Sequence, residues 1–262
     1  MRTKFAALRV PLMFCLALAP LPVLGASGAL TPSPWTVIYQ HDEHLVSQRT
    51  LPNGDTEYAY AELPRSAVAE TSEHAAQPAG HHQQGAGAIA LSEPVDCNIQ
   101  GAYAWHRLCG INRVHWSGTH PAIYFIDFTG VQWPVYESVV QWNQSTALDV
   151  GYVPSSVGGC NHTHCVRVTS GNFTDSCGPT NVWAGCTDVR VAAGTTLITN
   201  ETNIRLNNLY ASTYSDNRST TCHEIGHALG LDHNLYTNSC LYWNGGSLYP
   251  SNSDYLMLED IY

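Results

Sequence analysis

The sequence predicts a disulfide-bridged α+β domain. Three observations carry that prediction: a strand–helix–strand pattern over 122–153, a set of shorter strand candidates after it, and two helical patterns around 218–230 and 253–262. Of nine cysteines, all but Cys15 fall after residue 96, in the span that holds these elements. With 262 residues, 44% of them hydrophobic, the chain has material for one good-sized core and additional segments.

Composition excludes several classes of function. The chain carries 21 acidic residues against 11 basic ones, a net charge of −10. It therefore lacks the Lys/Arg patches that nucleic acids and anionic membranes require. Seven Trp, fourteen Tyr and nine Cys argue against wholesale disorder.

Residues 1–26 read as a secretory signal peptide. Arg2, Lys4 and Arg9 precede an apolar run, Val10–Leu24, and small residues follow at Gly25, Ala26, Ser27 and Ala29. The run is short for a membrane span and is broken by Pro20 and Pro22. No later stretch reaches spanning length, so a secreted, extracellular chain with no membrane contact after signal removal is expected. Its eight Arg, no Lys and 21 acids would give a formal charge of −13.

Residues 27–95 read as a pro-segment or N-terminal appendage. Trp35–Gln40 and Glu57–Leu63 are short strand-like runs, and Asn53–Gly54 between them is a turn signal. Residues 66–95, rich in Ala, Gly, Gln and Ser, form a linker. The main domain is expected over 96–262. There, Ala122–Phe128 is an apolar strand ending at Thr129–Gly130, and Val135–Trp142 has helical spacing. Ala147–Val153 is a second strand, so the three form a βαβ unit with a parallel pair. Residues 158–187 read as loops held by bridges. Val189–Val191, Thr196–Thr199 and Ile204–Leu206 are further strand candidates.

Eight cysteines in an exported chain point to four bridges with 105 connectivities. Short loops lose less entropy on closing, which favours Cys97–Cys109, Cys160–Cys165, Cys177–Cys186 and Cys222–Cys240.

The chemistry lies in Thr221–His233. On a helix, His223 and His227 project from one face and can bind one zinc ion at about 2.0–2.1 Å. Glu224 lies one residue round, placed to touch a water without ligating the metal. Gly230 can leave the helix with positive φ, letting the chain return His233 as a third ligand. Three ligands and one open position describe a catalytic zinc site. By chance these five positions match in about one sequence in 10⁴ of this length.

This pattern, H-E-x-x-H-x-x-G-x-x-H, resembles the zinc signature of the metzincin metallopeptidases. Glu224–Leu231, E-I-G-H-A-L-G-L, followed by Asp232–His233, is similar to the matrixin-type members. The resemblance covers about a dozen residues closely and 96–262 by layout. It implies a metzincin-like zincin catalytic domain: a twisted, mostly parallel five-stranded sheet with three helices and a cleft between two subdomains. It further implies a zinc endopeptidase with His223, His227 and His233 as ligands and Glu224 as general base. Protein or peptide substrates and a monomeric state are expected. Bound calcium would match the resemblance, although no calcium loop is readable.

The sequence departs from the family at two places. A metzincin Met turn would fall on Ser239–Tyr242, which puts Leu241, followed by Tyr242, where Met is expected. Met257 reads instead as core of the closing helix, with Leu258, Ile261 and Tyr262. Leu is close to Met in volume, so the site should survive. Cys222 is expected to pair with Cys240 and tie the zinc helix to this turn. The second departure concerns latency. No Cys lies between Cys15 and Cys97, so an inhibiting pro-segment must use a carboxylate or one of His41, His44, His74, His81 and His82.

Other candidates carry weaker signals. His162 and His164 form an H-x-H pair without a third ligand, Asp232 can orient His233 or cap the turn, and Trp243 and Tyr249 can line a pocket or pack beneath a loop. Two rival functions remain: a secreted zinc-binding module without turnover, and a zinc amidase acting on a cell-wall substrate.

Overall fold

The computed structural model describes residues 31–41, 44–64, 98–99, 101–104, 113–242 and 246–262. The signal segment 1–26, the linker 66–95, the Cys97–Cys109 pairing and Trp243 lie outside the described residues.

The strand–helix–strand pattern folds as read. Strand β6 (Ala122–Phe128), helix α1 (Val135–Trp142) and strand β7 (Asp149–Pro154) form a unit whose strands pair in parallel, Ala122 opposite Asp149. Strand β8 (His164–Gly171) joins the other edge of β6, also in parallel. It lies inside the stretch expected to be bridged loops. Val166 and Val168 are fully buried while Arg167 points out, so the short alternation is a true strand whose start is held by the Cys160–Cys165 bridge. Strand β10 (Asn203–Asn207) pairs in parallel with β8, and β9 (Gly185–Val191) pairs antiparallel with β10. Thr196–Thr199 forms no strand; Leu197 and Ile198 make only isolated bridges to His115 and Val191.

The sheet does not stop at β9. Residues 36–62 form an antiparallel meander of β1 (Thr36–His41), β2 (His44–Thr50) and β3 (Thr56–Glu62). Its turn contains Asn53–Gly54, with Gly54 at φ 91°. Strand β3 pairs antiparallel with β9 along its whole length, from Thr56 opposite Val191 to Glu62 opposite Gly185. The expected five-stranded, mostly parallel sheet is thus corrected to an eight-stranded mixed sheet, β1-β2-β3-β9-β10-β8-β6-β7. The physical reason is that β9 has a second edge of unsatisfied backbone donors and acceptors, and β3 takes all of it. A separate pair, β4 (Asn98–Ile99) and β5 (Ala102–Tyr103), packs near the last helix.

Helix α2 (Tyr214–Ala228) packs against β9, β10 and α1 and is buried along most of its length. Thr213 caps it by accepting from the Asp216 amide. At its other end, side-chain donors satisfy carbonyls that the helix leaves open: Trp116 Nε1 donates to the Ala228 oxygen and the Tyr262 hydroxyl to the Leu229 oxygen. Each such bond stabilises the native state by about 1 kcal/mol. Gly230, at φ 98°, then turns the chain away, and a Cβ there would press on the Val114 carbonyl. Helix α3 (Asn252–Ile261) closes the chain with a Ser251/Asp254 capping box, and its Met257 and Leu258 join the core as the stripe predicts.

Candidate metal centre

Four imidazoles converge at the inner face of α2. His223 and His227, one helical turn apart, bring their Nε2 atoms to 2.9 Å. The Nδ1 of His223 lies 2.9 Å from the Cys240 carbonyl, and that of His227 lies 2.9 Å from the Leu231 carbonyl. A carbonyl only accepts, so each Nδ1 carries the proton and each Nε2 presents a lone pair. Two lone pairs facing each other repel unless a cation lies between them. Ligands bonded at 2.0–2.1 Å in a tetrahedron stand about 3.3 Å apart, so the two nitrogens, at 2.9 Å, would part slightly to take a metal ion between them. The donor set could therefore hold a metal ion.

His233 arrives past the Gly230 turn as the third ring, its centroid 5.1 Å from that of His223 and 4.9 Å from that of His227. One carboxylate oxygen of Asp232 accepts from the His233 amide and lies 3.3 Å from His233 Nδ1. Burial, then the neighbouring His223, hold the pKa of His227 well below its usual value, which keeps the ring neutral as a ligand must be.

The fourth ring comes from the N-terminal meander. His44, only 2% exposed, stacks on His223 at 4.9 Å and 12° and lies 4.1 Å from His233. One ring nitrogen from each of His44, His223 and His233 falls within 4.8 Å of the others. Sequence reasoning leaves His44 as one of five histidines with no spacing to single it out.

Glu224 is buried beside these histidines. The Thr187 hydroxyl, on β9, donates to its carboxylate and also to its backbone oxygen. Gly185 faces the same carboxylate so closely that a Cβ would overlap it. Burial first, and the charge of Glu62 second, push the Glu224 carboxyl well above the usual range, against the pull of Thr187. Thr187, Gly185, Glu62 and Tyr60, whose ring packs 4.2 Å from that of His227, carry no local motif and are missed by sequence reasoning.

Leu241 and Tyr242 lie in a turn that Tyr242 closes by donating its amide hydrogen to the Ser239 carbonyl. Leu241 is buried and its side chain meets Gly226 of α2 in close contact. Cys222 and Cys240 stand at disulfide distance, as do Cys160–Cys165 and Cys177–Cys186. The turn is further held by Asp254, which accepts from Ser239 Oγ at 2.6 Å, Asn234 Nδ2 at 2.7 Å and the Ser251 amide at 2.6 Å.

The remaining candidates do not gather into a site. His162 stacks on Tyr124, while His164 Nε2 faces the Ser117 carbonyl at 2.9 Å. Tyr249 is exposed, with the Arg218 guanidinium over its ring. Among the described residues no helix is long and apolar enough to cross a membrane. No protein-family model matches this chain, and no curated protein matches it either.

Proposed function

We propose that the chain is a secreted zinc-dependent endopeptidase of the matrixin-like metzincin class. The observation that carries this reading is the donor set on α2: two neutral Nε2 atoms at 2.9 Å, each fixed by a carbonyl behind it, with His233 as third ring and a carboxylate alongside. A bound zinc ion supplies Lewis acidity toward the scissile carbonyl and lowers the pKa of its water to about 7. Glu224 takes a proton from the attacking water and returns it to the leaving amine. Thr187 holds that carboxylate in place, and Gly185 leaves the space beside it. Three bridges fit an oxidising compartment, which supports secretion.

A second reading, a zinc-binding module without turnover, draws support from His44, whose ring nitrogen lies within 4.8 Å of those of His223 and His233, since a site closed by protein ligands is the mark of a structural role. Metal content and cleavage separate the two. The purified chain, as expressed and after limited proteolysis, is assayed against casein, defined peptides and cell-wall fragments, with and without chelator. One zinc per chain and peptide cleavage that falls about 10²–10⁴-fold in Glu224→Ala are expected. Zinc without cleavage leaves the module, cleavage of wall fragments alone leaves the amidase, and full activity in Glu224→Ala sinks the mechanism.

A further inference from the structure

The sheet has a second face, turned away from α2, and a cavity of about 500 Å³ opens on it. Strand register defines its floor. Glu57 on β3 stands opposite Arg190 on β9, Asn203 on β10 opposite Arg167 on β8, and Arg167 opposite Ile126 on β6. The alternate positions on these strands hold Val166, Val168, Val189 and Ile204, which share one core with Ile225 and Leu229 on the α2 side. Alternation therefore turns the cavity residues the other way. The Cys160–Cys165 bridge and His162 also line the cavity. The exposed His162 ring lies flat on Tyr124, with centroids 3.4 Å apart and 9° between the planes.

The charges around this cavity are unevenly answered. Glu57 is paired with Arg49, and Glu201 with one end of Arg190. Arg190 Nε is buried without a hydrogen-bond partner, so that guanidinium has bonding capacity left. Arg167 has no carboxylate partner among the described residues; its guanidinium lies 4.5 Å over the Phe128 ring. Three guanidiniums against two carboxylates leave one local positive charge in a chain of net charge −10. That balance suits a monoanion, a carboxylate, better than a phosphate dianion, and the guanidinium fork matches carboxylate geometry. Strands β8, β9 and β10 are each paired on both edges, so no main-chain edge is open to an extended peptide. Recognition falls to side chains. Glu57, Glu201 and the Asn203 Oδ1 are acceptors, the last because Asn203 Nδ2 is spent on the Glu201 carbonyl. Guanidinium donors and these acceptors beside a flat imidazole suit a sugar ring, whose hydroxyls both donate and accept.

We propose that this cavity binds an acidic sugar, a uronate unit whose carboxylate is held by Arg167 and Arg190. Its hydroxyls meet Glu57, Glu201 and Asn203, and its ring lies against His162 and Ile126. The volume falls in the range of ordinary small-ligand pockets. The site lies on the opposite face of the sheet from the proposed metal centre and is independent of it.

The test follows arginine Nε–Hε signals and the amides of β8 to β10 by NMR in the full chain as sodium glucuronate is added. Saturable shifts centred on Arg167 and Arg190 are expected. Arg167→Gln should bind at least tenfold more weakly. Its urea midpoint should match the wild type, because the side chain is exposed. Methyl glucoside, the ring without the charge, and acetate, the charge without the ring, are each expected to bind at least tenfold more weakly than glucuronate. No saturable shift, or equal binding in folded Arg167→Gln, overturns the site. Equal binding of methyl glucoside removes the carboxylate from the argument, and equal binding of acetate reduces the cavity to a general anion site. Tighter binding of N-acetylaspartate amide assigns it to an acidic peptide; any of these three results overturns the acidic-sugar proposal. Zinc content and peptide cleavage enter none of these readouts, so the result stands apart from the metal centre.

Discussion

Replacing Asp254 should weaken the proposed metal site from a distance, and the route can be followed bond by bond. The side chain is fully buried and accepts from Ser239 Oγ, Asn234 Nδ2, the Ser251 amide and Ser251 Oγ. In Asp254→Ala, Asn234 Nδ2 keeps Ser253 Oγ at 2.9 Å and Ser251 Oγ keeps Ser253 Oγ at 2.8 Å, so those two donors are still served. The Ser239 hydroxyl and the Ser251 amide are stranded, at a cost of about 1–3 kcal/mol each. Burial raises the Asp254 carboxyl pKa despite these bonds, so removing the carboxyl recovers part of a desolvation penalty. The net loss of stability should be about 2–4 kcal/mol. Ser239 Oγ also accepts the Leu241 amide, and the residue between them, Cys240, provides the carbonyl that orients His223. Loosening Ser239 therefore loosens a partner of a proposed ligand, which typically lowers metal affinity about 10–100-fold. Asp254→Asn keeps one acceptor oxygen but turns an amide NH₂ toward a donor, and should fall between the two. Urea unfolding of the metal-free chain measures the first effect, and competition for zinc with a chromophoric chelator measures the second. A variant that loses the stability but keeps zinc affinity within twofold would refute the link from Asp254 to His223.

Gly185→Ala should displace the Glu224 carboxylate, because the new methyl overlaps it; kcat is expected to fall at least tenfold with zinc content unchanged, and an unaltered kcat removes Gly185 from the site's architecture. Asp188, between β3 and β10, has its pKa pushed up to about 6 by burial and then by Glu57, against the pull of Arg205. The folded chain therefore holds this proton between about pH 4 and 6 where the unfolded chain has lost it, so stability falls as pH rises through that window. Asp188→Asn should flatten the fall, read as urea midpoints at several pH values, and parallel curves for the two chains would contradict it.

Sequence alone shows what is local. The i, i+4 histidines and the glycine exit are set by residues within a few positions of one another, and the structure places them as read, although the helix starts earlier than expected, at Tyr214. Helix α1 and its flanking strands were legible for the same reason, because the periodicity changes from two to 3.6 and back within a short span. What stayed hidden depends on pairing across long separations. The middle strand, His44–Thr50, mixes polar and apolar residues on both faces, and nothing nearby reveals that its neighbour β3 will pair with residues 185–191. Strand β8 was obscured by the cysteines at its start, which read as loop. Glu62 is brought near Glu224 by that long-range pairing and Thr187 by the packing of α2 on β9, so no spacing could have assigned them.

The leucine at the turn can be understood from what surrounds it. Gly226 lies on α2 between His223 and His227, and a Cβ there would sit 2.7 Å from Leu241 and 2.8 Å from Trp142. The missing side chain lets a branched Leu and an indole pack directly on the helix backbone, where a longer unbranched side chain would otherwise be needed to reach. Trp142 also donates its Nε1 hydrogen to the Cys222 carbonyl, so the packing is oriented as well as filled. The Cys222–Cys240 pair joins the residue before His223 to the residue before Leu241, and the Asp254 network holds Ser239 on the other side. Packing, a covalent link and buried hydrogen bonds thus act on three consecutive residues, 239–241, and the middle one supplies the carbonyl behind His223. With the turn constrained in three independent ways, the identity of the apolar side chain at 241 matters less than its volume. Leu241 fills that volume against Gly226 while Cys240 keeps its carbonyl on His223.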